Sequence, residues 1–175
     1  MQVKKILALT GIRSEYYILY PVIDALRKDS RFDVGVVVSG AHLSDWHGLT
    51  LRDIEADGFR IADKIDSLFQ TNRTTQRVKG IGMLVYAFAQ TVEREKPDCI
   101  FVVADREESI AAAVVGNYME VPVAHLAGGD PVWGNADDPI RFAVSKLAHI
   151  HFTMAEAFAK NLARVGEQDF RIFNV

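Results

Sequence analysis

Three aspartates and an arginine gather within a dozen positions of VPVAHLAGGDPVWGNADDPIR, which spans residues 121–141. An apolar run leads into two glycines, and Asp130, Asp137 and Asp138 follow them. Repulsion between these carboxylates costs stability unless a cation or a ligand offsets it. Arg141 lies four residues after Asp137 and three after Asp138, so on a helix it would face both across one turn. The stretch therefore predicts a charged site at the end of a strand.

Two kinds of chemistry fit such a cluster. Carboxylates held together near an apolar wall have raised pKa values, which suits proton transfer near neutral pH. A magnesium site is the alternative, but the positive charges of Arg13, Arg106 and Arg141 disfavour it. His149 and His151 lack a carboxylate or cysteine at ligand spacing, so they make a poor zinc site. The sequence therefore predicts acid–base chemistry without a metal.

Strand-like apolar runs alternate with helical patterns along the whole chain. Several runs are continuously apolar, as in parallel strands that are covered on both faces. Within one of them, His125 is predicted to be a hydrogen-bonded core residue. The alternation predicts an α/β fold with a doubly wound, mostly parallel, Rossmann-like sheet. The predicted strands are 4–10, 32–40, 98–104, 121–127, 150–153 and 171–175, and the predicted helices are 14–28, 46–57, 74–96, 107–119, 138–148 and 155–165.

Polar residues follow four of the predicted strands, at the end where open α/β sheets bind ligands. They are Arg13 in TGIRSEY, His42 in SGAHLSDWHG, Asp105 and Arg106 in DREES, and the stretch 121–141. TGIRSEY has neither the glycine spacing of a dinucleotide fingerprint nor that of a P-loop. Arg13 is thus either a phosphate ligand at a helix N-terminus or a surface arginine, and Asp105 with Arg106 could be a simple loop ion pair.

Length and composition narrow the class of protein. With 175 residues and 49% hydrophobic residues, the chain suits a single globular domain. A net charge of −3 does not favour a nucleic-acid partner. The longest apolar segment, IGMLVYAFA, is far short of the ~20 residues that cross a bilayer, and no signal-peptide pattern is present. We therefore expect a cytoplasmic protein without membrane association. Because the chain ends on the apolar run RIFNV, we also expect that another domain follows.

An ordered set of motifs covers nearly the whole chain: ILALTGIRSEYYILYPVIDALR, VVVSGAHLSDWHGLTLRDIEADGF, KPDCIFVVADREESIAAAVVGNYMEVPVAHLAGGD and ADDPIRFAVSKLAHIHFT. On these motifs the chain resembles the N-terminal half of the hydrolysing UDP-N-acetylglucosamine 2-epimerases, especially the sialic-acid and legionaminic-acid branch. The resemblance implies two Rossmann-like domains with a cleft between them, the GT-B architecture. Residues 1–175 would be the first domain, and the C-terminal nucleotide-binding domain would lie outside this chain. It further implies a homodimer and no cofactor.

The reaction that the resemblance implies has two steps. UDP is eliminated from the sugar nucleotide to leave a 2-acetamidoglucal, and water then adds so that carbon 2 is inverted. The products are N-acetylmannosamine and UDP, or their counterparts from a UDP- or GDP-linked diacetamido sugar. Carboxylates can stabilise the positive charge that builds on the ring and can move protons, and arginine can hold the departing diphosphate.

Position by position, the resemblance assigns roles to five residues. Asp105 matches the catalytic aspartate of a Gly-Asp-Arg motif, with Arg106 beside it. Asp137 matches a catalytic carboxylate before a helix, and Arg141 the arginine four residues later. Arg13 matches a nucleotide-contacting arginine. Arg13, Arg106 and Arg141 are therefore expected to bind substrate.

The chain also departs from the family pattern. Ala104 replaces the glycine of Gly-Asp-Arg, and Ala127 stands where a catalytic glutamate is usual. Asp130 replaces a second acid and is a candidate substitute for the missing one, while Phe142 occupies a usual histidine position. His42 lies in the family's second-strand loop and is expected to contact substrate.

Two other functions remain open from the sequence. The loss of a glutamate at position 127 fits a non-catalytic, regulatory protein that binds a sugar nucleotide. A GT-B glycosyltransferase would have the same fold and transfer the sugar to an acceptor other than water.

Overall fold

A computed structural model of the chain describes residues 2–71, 73–134 and 136–175. Within these ranges, strands and helices alternate as the sequence predicts. The strands are β1 (Lys4–Thr10), β2 (Phe32–Ser39), β3 (Arg60–Ile65), β4 (Cys99–Val103), β5 (Val123–Leu126), β6 (Ile150–Thr153) and β7 (Ile172–Asn174). The helices are α1 (Arg13–Lys28), α2 (Leu51–Ala56), α3 (Thr75–Glu95), α4 (Glu107–Tyr118), α5 (Asp137–Leu147) and α6 (Glu156–Arg164).

All seven strands form one parallel sheet in the order β3-β2-β1-β4-β5-β6-β7. The chain starts in the middle, winds outward to β3, and returns to place β4 on the other side of β1. Leu7 of β1 accordingly pairs with Gly35 of β2 on one side and with Ile100 of β4 on the other. The predicted doubly wound fold is confirmed.

Helices cover the two faces of the sheet in separate groups. Helices α1 and α2 pack on the face that Ile6 and Ala8 of β1 share with Val36 of β2. Helices α3, α4 and α5 pack on the opposite face, toward Leu7 and Leu9. Successive residues of a strand point to opposite faces, so a strand buried on both must be apolar at every position. This explains the uninterrupted apolar run in β1.

Strand β3 is absent from the strands that the sequence predicts, because its residues do not form a continuous apolar run. Half of its six residues, RIADKI, are charged, and it lies at the edge of the sheet, where it pairs with β2 alone among the described strands. Of its residues only Ile65 is fully buried, whereas Asp63 forms an ion pair with Arg94 of α3 at 2.8 Å. An edge strand needs less apolar surface than a central one, and charges on it discourage pairing with other chains.

Helix α3 shows how a helix is fixed to the sheet by one stripe of residues. Leu84, Phe88 and Val92, four positions apart, are buried, while Tyr86 is 68% exposed. This spacing aligns the apolar side chains along one side of the helix. Although α3 has 21 residues, neither it nor any other helix in the described ranges is apolar enough over a sufficient length to span a membrane.

We predict that Phe88→Ala lowers the free energy of unfolding by about 3–5 kcal/mol, because it removes a fully buried ring and leaves a cavity. Tyr86→Ala on the same helix is the matched control and should change it by less than about 0.5 kcal/mol. Urea unfolding followed by circular dichroism measures both. Equal losses in the two variants would contradict the packing described for α3.

Candidate functional site

The site lies in the crevice where the sheet changes its winding direction, between β1 and β4. These strands are neighbours, yet α1 leaves β1 toward one face and α4 leaves β4 toward the other. Helices that diverge from adjacent strands open a cleft at the carboxyl ends, where doubly wound sheets bind ligands. The loops after β1, β2, β4 and β5 all reach this edge of the sheet, as the sequence predicts.

Arg141 of α5 connects two of these loops. Its Nε lies 2.8 Å from Oδ2 of Asp105, which its Nη2 also contacts. Its Nη1 lies 3.0 Å from Oδ2 of Asp130 and 2.9 Å from the carbonyl oxygen of the same residue. The guanidinium is almost buried, so the interaction is weakly screened by solvent. The structure thus gives Arg141 partners distant in sequence, in place of the predicted pairing across one helical turn.

Asp105 and Asp137 line the same cavity, of about 260 Å³. Asp137 is the first residue of α5, with its carboxylate 3.9 Å from Nη2 of Arg77 and 39% of its side chain exposed. A helix N-terminus favours negative charge, which helps to keep this carboxylate at the cavity wall. The complete lining is Ser14, Glu15, Ile18, Arg77, Val103, Ala104, Asp105, Arg106 and Asp137.

A second cavity, of about 160 Å³, shares Arg77 and Arg106 with the first. Its wall includes Leu68 and Phe69, which precede α3, together with Ile12 and Leu84. The two arginines stand where the cavities meet. The walls of the crevice thus hold carboxylates and guanidinium groups together.

Arg106 does not pair with its neighbour Asp105, so the simple loop ion pair is not what the structure shows. Its Nε lies 3.3 Å from Glu108 and 3.9 Å from Glu15, and its Nη2 lies 3.4 Å from Glu107. Glu15 and Glu108 are buried members of the site that the sequence reasoning missed. Both follow a strand by only a few residues, in TGIRSEY and DREES. This position at the ligand-binding end of the strands is the sequence signal that could have identified them.

His42 is fully buried and belongs to the packing beneath the site. Its Nε2 lies 3.1 Å from Oγ1 of Thr10 and its Nδ1 lies 2.7 Å from Oγ1 of Thr50. The edge of its ring packs against Tyr16. Burial lowers the pKa of His42 to about 4, so the ring is neutral at physiological pH. The expected contact between His42 and a substrate therefore has no exposed ring face to support it.

His125 fixes the turn that presents Asp105. Its Nε2 donates to the carbonyl oxygen of Ala104 at 2.8 Å. Its Nδ1 lies 3.1 Å from the hydroxyl oxygen of Ser145, which donates to the carbonyl oxygen of Arg141 at 3.0 Å. Ala104 has a φ of +59°, in the left-handed region that residues with a side chain rarely occupy. His125 is completely buried, as predicted for a core histidine, and stabilises this unfavourable turn.

The remaining sequence-predicted residues lie outside these contacts. Arg13 is exposed at the first turn of α1, close to the crevice along the chain. His149 and His151 have different partners. Nδ1 of His149 accepts from the backbone N–H of Val123, and Nε2 of His151 lies 3.1 Å from the buried carboxylate of Glu167. The described part of the chain holds no cluster of three or more metal-ligating side chains.

Comparison with known proteins identifies the family. The family model described as UDP-N-acetylglucosamine 2-epimerase matches residues 24–175. The chain belongs to this epimerase family. It is 34% identical over 175 residues to the hydrolysing GDP/UDP-N,N'-diacetylbacillosamine 2-epimerase of Campylobacter jejuni. It is 35% identical over 173 residues to the hydrolysing UDP-N,N'-diacetylbacillosamine 2-epimerase of Legionella pneumophila.

The chain is shorter than these relatives. The two alignments cover 100% and 99% of this chain but only 45% and 46% of the relatives. The crystal structure of UDP-GlcNAc 2-epimerase from Neisseria meningitidis bound to UDP-GlcNAc superposes with a TM-score of 0.85 at 21% identity, over 97% of this chain and 45% of that one. The epimerase fold of the present chain therefore corresponds to the N-terminal half of its relatives.

Position 127 is where the family resemblance leads us to expect a glutamate and the chain has an alanine. Ala127 directly follows β5 with a φ of +62° and is buried, with its backbone N–H donating to the carbonyl oxygen of Phe152 at 2.9 Å. The candidate substitute, Asp130, is held by Arg141 and is not part of the cavity wall. Asp138 accepts from the backbone N–H of Val132 at 2.8 Å and so shapes the loop before α5.

We predict that replacing His125 changes how stability depends on pH. Burial lowers the pKa of His125 to about 4, so between pH 6.5 and 4 the unfolded chain binds a proton that the folded ring does not. The wild type therefore loses stability from this group as the pH falls through that range. His125→Gln lacks this pH-dependent loss. The difference in unfolding free energy between the variant and the wild type should therefore shift in favour of the variant by roughly 3 kcal/mol between pH 6.5 and pH 4. Urea unfolding at both pH values measures this difference, and a constant difference would contradict the buried, neutral ring.

Proposed function

We propose that the chain supplies the N-terminal domain of a hydrolysing 2-epimerase that acts on a nucleoside-diphosphate-linked acetamido sugar. The observation that carries this proposal is one cavity whose wall includes two carboxylates, Asp105 and Asp137, and two guanidinium groups, Arg77 and Arg106. Family membership supports the same reaction type. The solved relative from Neisseria meningitidis is described as bound to UDP-GlcNAc, which supports a sugar nucleotide as the ligand class.

The proposed reaction begins with cleavage of the bond between carbon 1 and the diphosphate oxygen. The electron pair leaves with the nucleoside diphosphate while the proton on carbon 2 passes to a base, which creates a double bond between carbons 1 and 2. Water then adds across this bond, with its hydroxyl on carbon 1 and a proton on the opposite face of carbon 2. The products are the nucleoside diphosphate and a free sugar with inverted carbon 2.

Each charged group of the cavity fits one part of this reaction. Asp105, fixed by Arg141, and Asp137, at the start of α5, are the candidates for proton transfer and for stabilising positive charge on the ring. Arg106 and Arg77 carry the positive charge that a departing diphosphate requires. We assign Asp130 to holding Arg141, because its carboxylate contacts that guanidinium at 3.0 Å.

The relatives narrow the proposed substrate. Two of them, at 34% and 35% identity, are named for UDP- or GDP-linked diacetylbacillosamine, so we propose a 2,4-diacetamido sugar before N-acetylglucosamine. A C-terminal nucleotide-binding domain would supply the remaining nucleotide contacts. Arg13, exposed beside the crevice, is our candidate for a contact with that nucleotide. The homodimer and the cytoplasmic location stay predictions.

Removing either proposed catalytic carboxylate should abolish most of the activity. We expect Asp105→Asn and Asp137→Asn, made in the protein that contains this chain, to slow release of nucleoside diphosphate by about 10²–10⁴-fold. The matched control is Asp138→Asn, which keeps the oxygen that accepts from Val132 and should retain near wild-type rates. Chromatography of UDP or GDP released from the diacetamido sugar nucleotides and from UDP-N-acetylglucosamine gives the rates.

The assay can also refute the proposed function. If the Campylobacter jejuni relative releases nucleotide and this protein releases none from any of these substrates, it is not an epimerase of this type. Release that occurs only with a sugar acceptor, and gives a glycoside, would indicate a glycosyltransferase.

Restoring the glutamate should raise activity if the site is that of a working epimerase. We expect Ala127→Glu to turn over the same substrate faster than wild type, because it adds an acid–base group at the end of β5 beside the crevice. Ala127 already places a Cβ atom on a left-handed backbone, so replacing it with glutamate does not add to the backbone strain at this position. Tight binding of the sugar nucleotide with no turnover in either form would instead indicate the non-catalytic, regulatory protein.

A further inference from the structure

Two buried glutamates meet at the base of the crevice, and neither has a role in the reaction described above. Glu15 comes from α1 and is 6% exposed, and Glu108 comes from α4 and is 3% exposed. Both side chains reach Gly11, the residue that follows β1. Oε2 of Glu15 accepts from the backbone N–H of Gly11 at 3.3 Å. A buried carboxylate is costly unless it is paired or protonated, so two at one point require an explanation.

The surrounding glycines show that this arrangement is built into the backbone. A Cβ atom on Gly11 would collide with the carboxylate of Glu108, and one on Gly40 would come within 2.7 Å of the same carboxylate oxygen. Gly40 also has a φ of +57°, which favours glycine. The loops after β1 and β2 therefore leave space for the head group of Glu108, although that residue comes from the far side of the switch point.

Both carboxylates point at a single nitrogen. Nε of Arg106 lies 3.3 Å from Glu108 and 3.9 Å from Glu15, while the side chain of Arg106 is 36% exposed and lines both cavities. The buried side of the guanidinium is thus held from two helices, and the rest of it faces the crevice. Glu107 also contacts Arg106 but is shared with Arg77, which adds a positive charge of its own.

The charge balance of this cluster favours the retention of a proton. Two ionised carboxylates that are buried away from water and share one guanidinium repel each other. A single proton bound by the pair removes most of the free-energy cost of this repulsion. Oε1 of Glu15 is buried and has no hydrogen-bond partner among the residues that the structure describes. Burial first, and then the charge of Glu108, raise the pKa of Glu15 to about 8, although Arg106 opposes the shift. The other charged group that faces Glu15 is Asp105, which acts in the same direction as Glu108.

We propose that Glu15 and Glu108 are positioning residues that retain one proton between them and hold Arg106 at the junction of the two cavities. With that proton in place, the pair carries one negative charge in place of two, and the positive charge of Arg106 stays available to a diphosphate. The identity of this ligand rests on the proposed function, whereas the shared proton does not. A bound diphosphate would add negative charge nearby and so strengthen retention of the proton.

The shared proton can be tested without any ligand. We expect carbon-13 NMR of the glutamate-labelled chain to show one carboxyl group that titrates near pH 8 and disappears in Glu15→Gln. Glu93→Gln is the matched control, since Glu93 is exposed on α3 and should leave that titration unchanged. In Glu108→Gln the remaining carboxyl group should titrate lower, because its repelling partner is gone. A wild type in which every glutamate titrates below about pH 6 would overturn the proposal.

Stability gives a second measure of the same proton. Between the ordinary glutamate value of 4.5 and about 8, the folded chain would bind a proton that the unfolded chain has lost, so Glu15 makes stability fall as the pH rises through that range. Glu15→Gln should remove this fall, and Glu93→Gln should keep it. The same fall in both variants would argue against Glu15 as the site of the proton.

The link to Arg106 requires a ligand measurement. Calorimetric titration of the protein that contains this chain with UDP at pH 8, in two buffers of different ionisation heat, reports the protons that are taken up on binding. We expect uptake by wild type and Glu93→Gln but not by Glu15→Gln, whose affinity at pH 7 should stay within about twofold of wild type because glutamine resembles the protonated acid. Equal uptake in all three proteins would overturn the positioning role. If UDP does not bind at all, the proposed function fails, and the NMR titration still decides whether the pair holds a proton.

Discussion

The pairing of β1 with β4 is the constraint on which the rest of the structure depends. It joins two segments that lie about ninety residues apart in the chain, Ile6 beside Cys99 and Ala8 beside Phe101. Because α1 and α4 then leave toward opposite faces, their first turns stand across a cleft without filling it. Apart from Arg141, which lies one turn into α5, the charged groups of the site are presented by loops or first helical turns at this edge. A sheet in another order would scatter these same residues along its width.

The charges of the crevice are arranged in two separate groups. Arg141 holds Asp105 and Asp130, and so ties the loop after β4 to the loop after β5. Arg106 is held by Glu15 and Glu108, and so ties the start of α4 to the start of α1. In both groups a guanidinium bridges elements distant in sequence, with fixed geometry for each carboxylate. The guanidinium of Arg141 is almost inaccessible to solvent, whereas that of Arg106 is partly exposed. Arg106 is therefore better placed than Arg141 to contact a ligand.

The sequence predicts the fold better than it predicts the contacts within the site. Continuous apolar runs reveal buried parallel strands, and this is enough to place the loop ends of β1, β2, β4 and β5 at one edge. The same criterion misses β3, since an edge strand needs few apolar residues. Spacing along a helix suggests Asp137 and Asp138 as partners of Arg141, but its partners come from other loops, which only the folded sheet brings near. Glu15 and Glu108 escape notice because their burial depends on the space left by Gly11 and Gly40, and no local pattern encodes that.

Two alanines show how the loops of this chain depend on the layer beneath them. Ala104 and Ala127 directly follow β4 and β5 and lie in the left-handed region, at φ values of +59° and +62°. A residue with a side chain costs about 1–2 kcal/mol more than glycine there. Each backbone is held by a hydrogen bond. The carbonyl oxygen of Ala104 accepts from the His125 ring, and the N–H of Ala127 donates to the carbonyl oxygen of Phe152. These hydrogen bonds offset the strain and turn the chain sharply out of the sheet. The hydrogen bond from His125 to Ala104 therefore fixes the turn that carries Asp105. Proton uptake by the buried ring would keep this donor but would place a positive charge in the core beneath the loop.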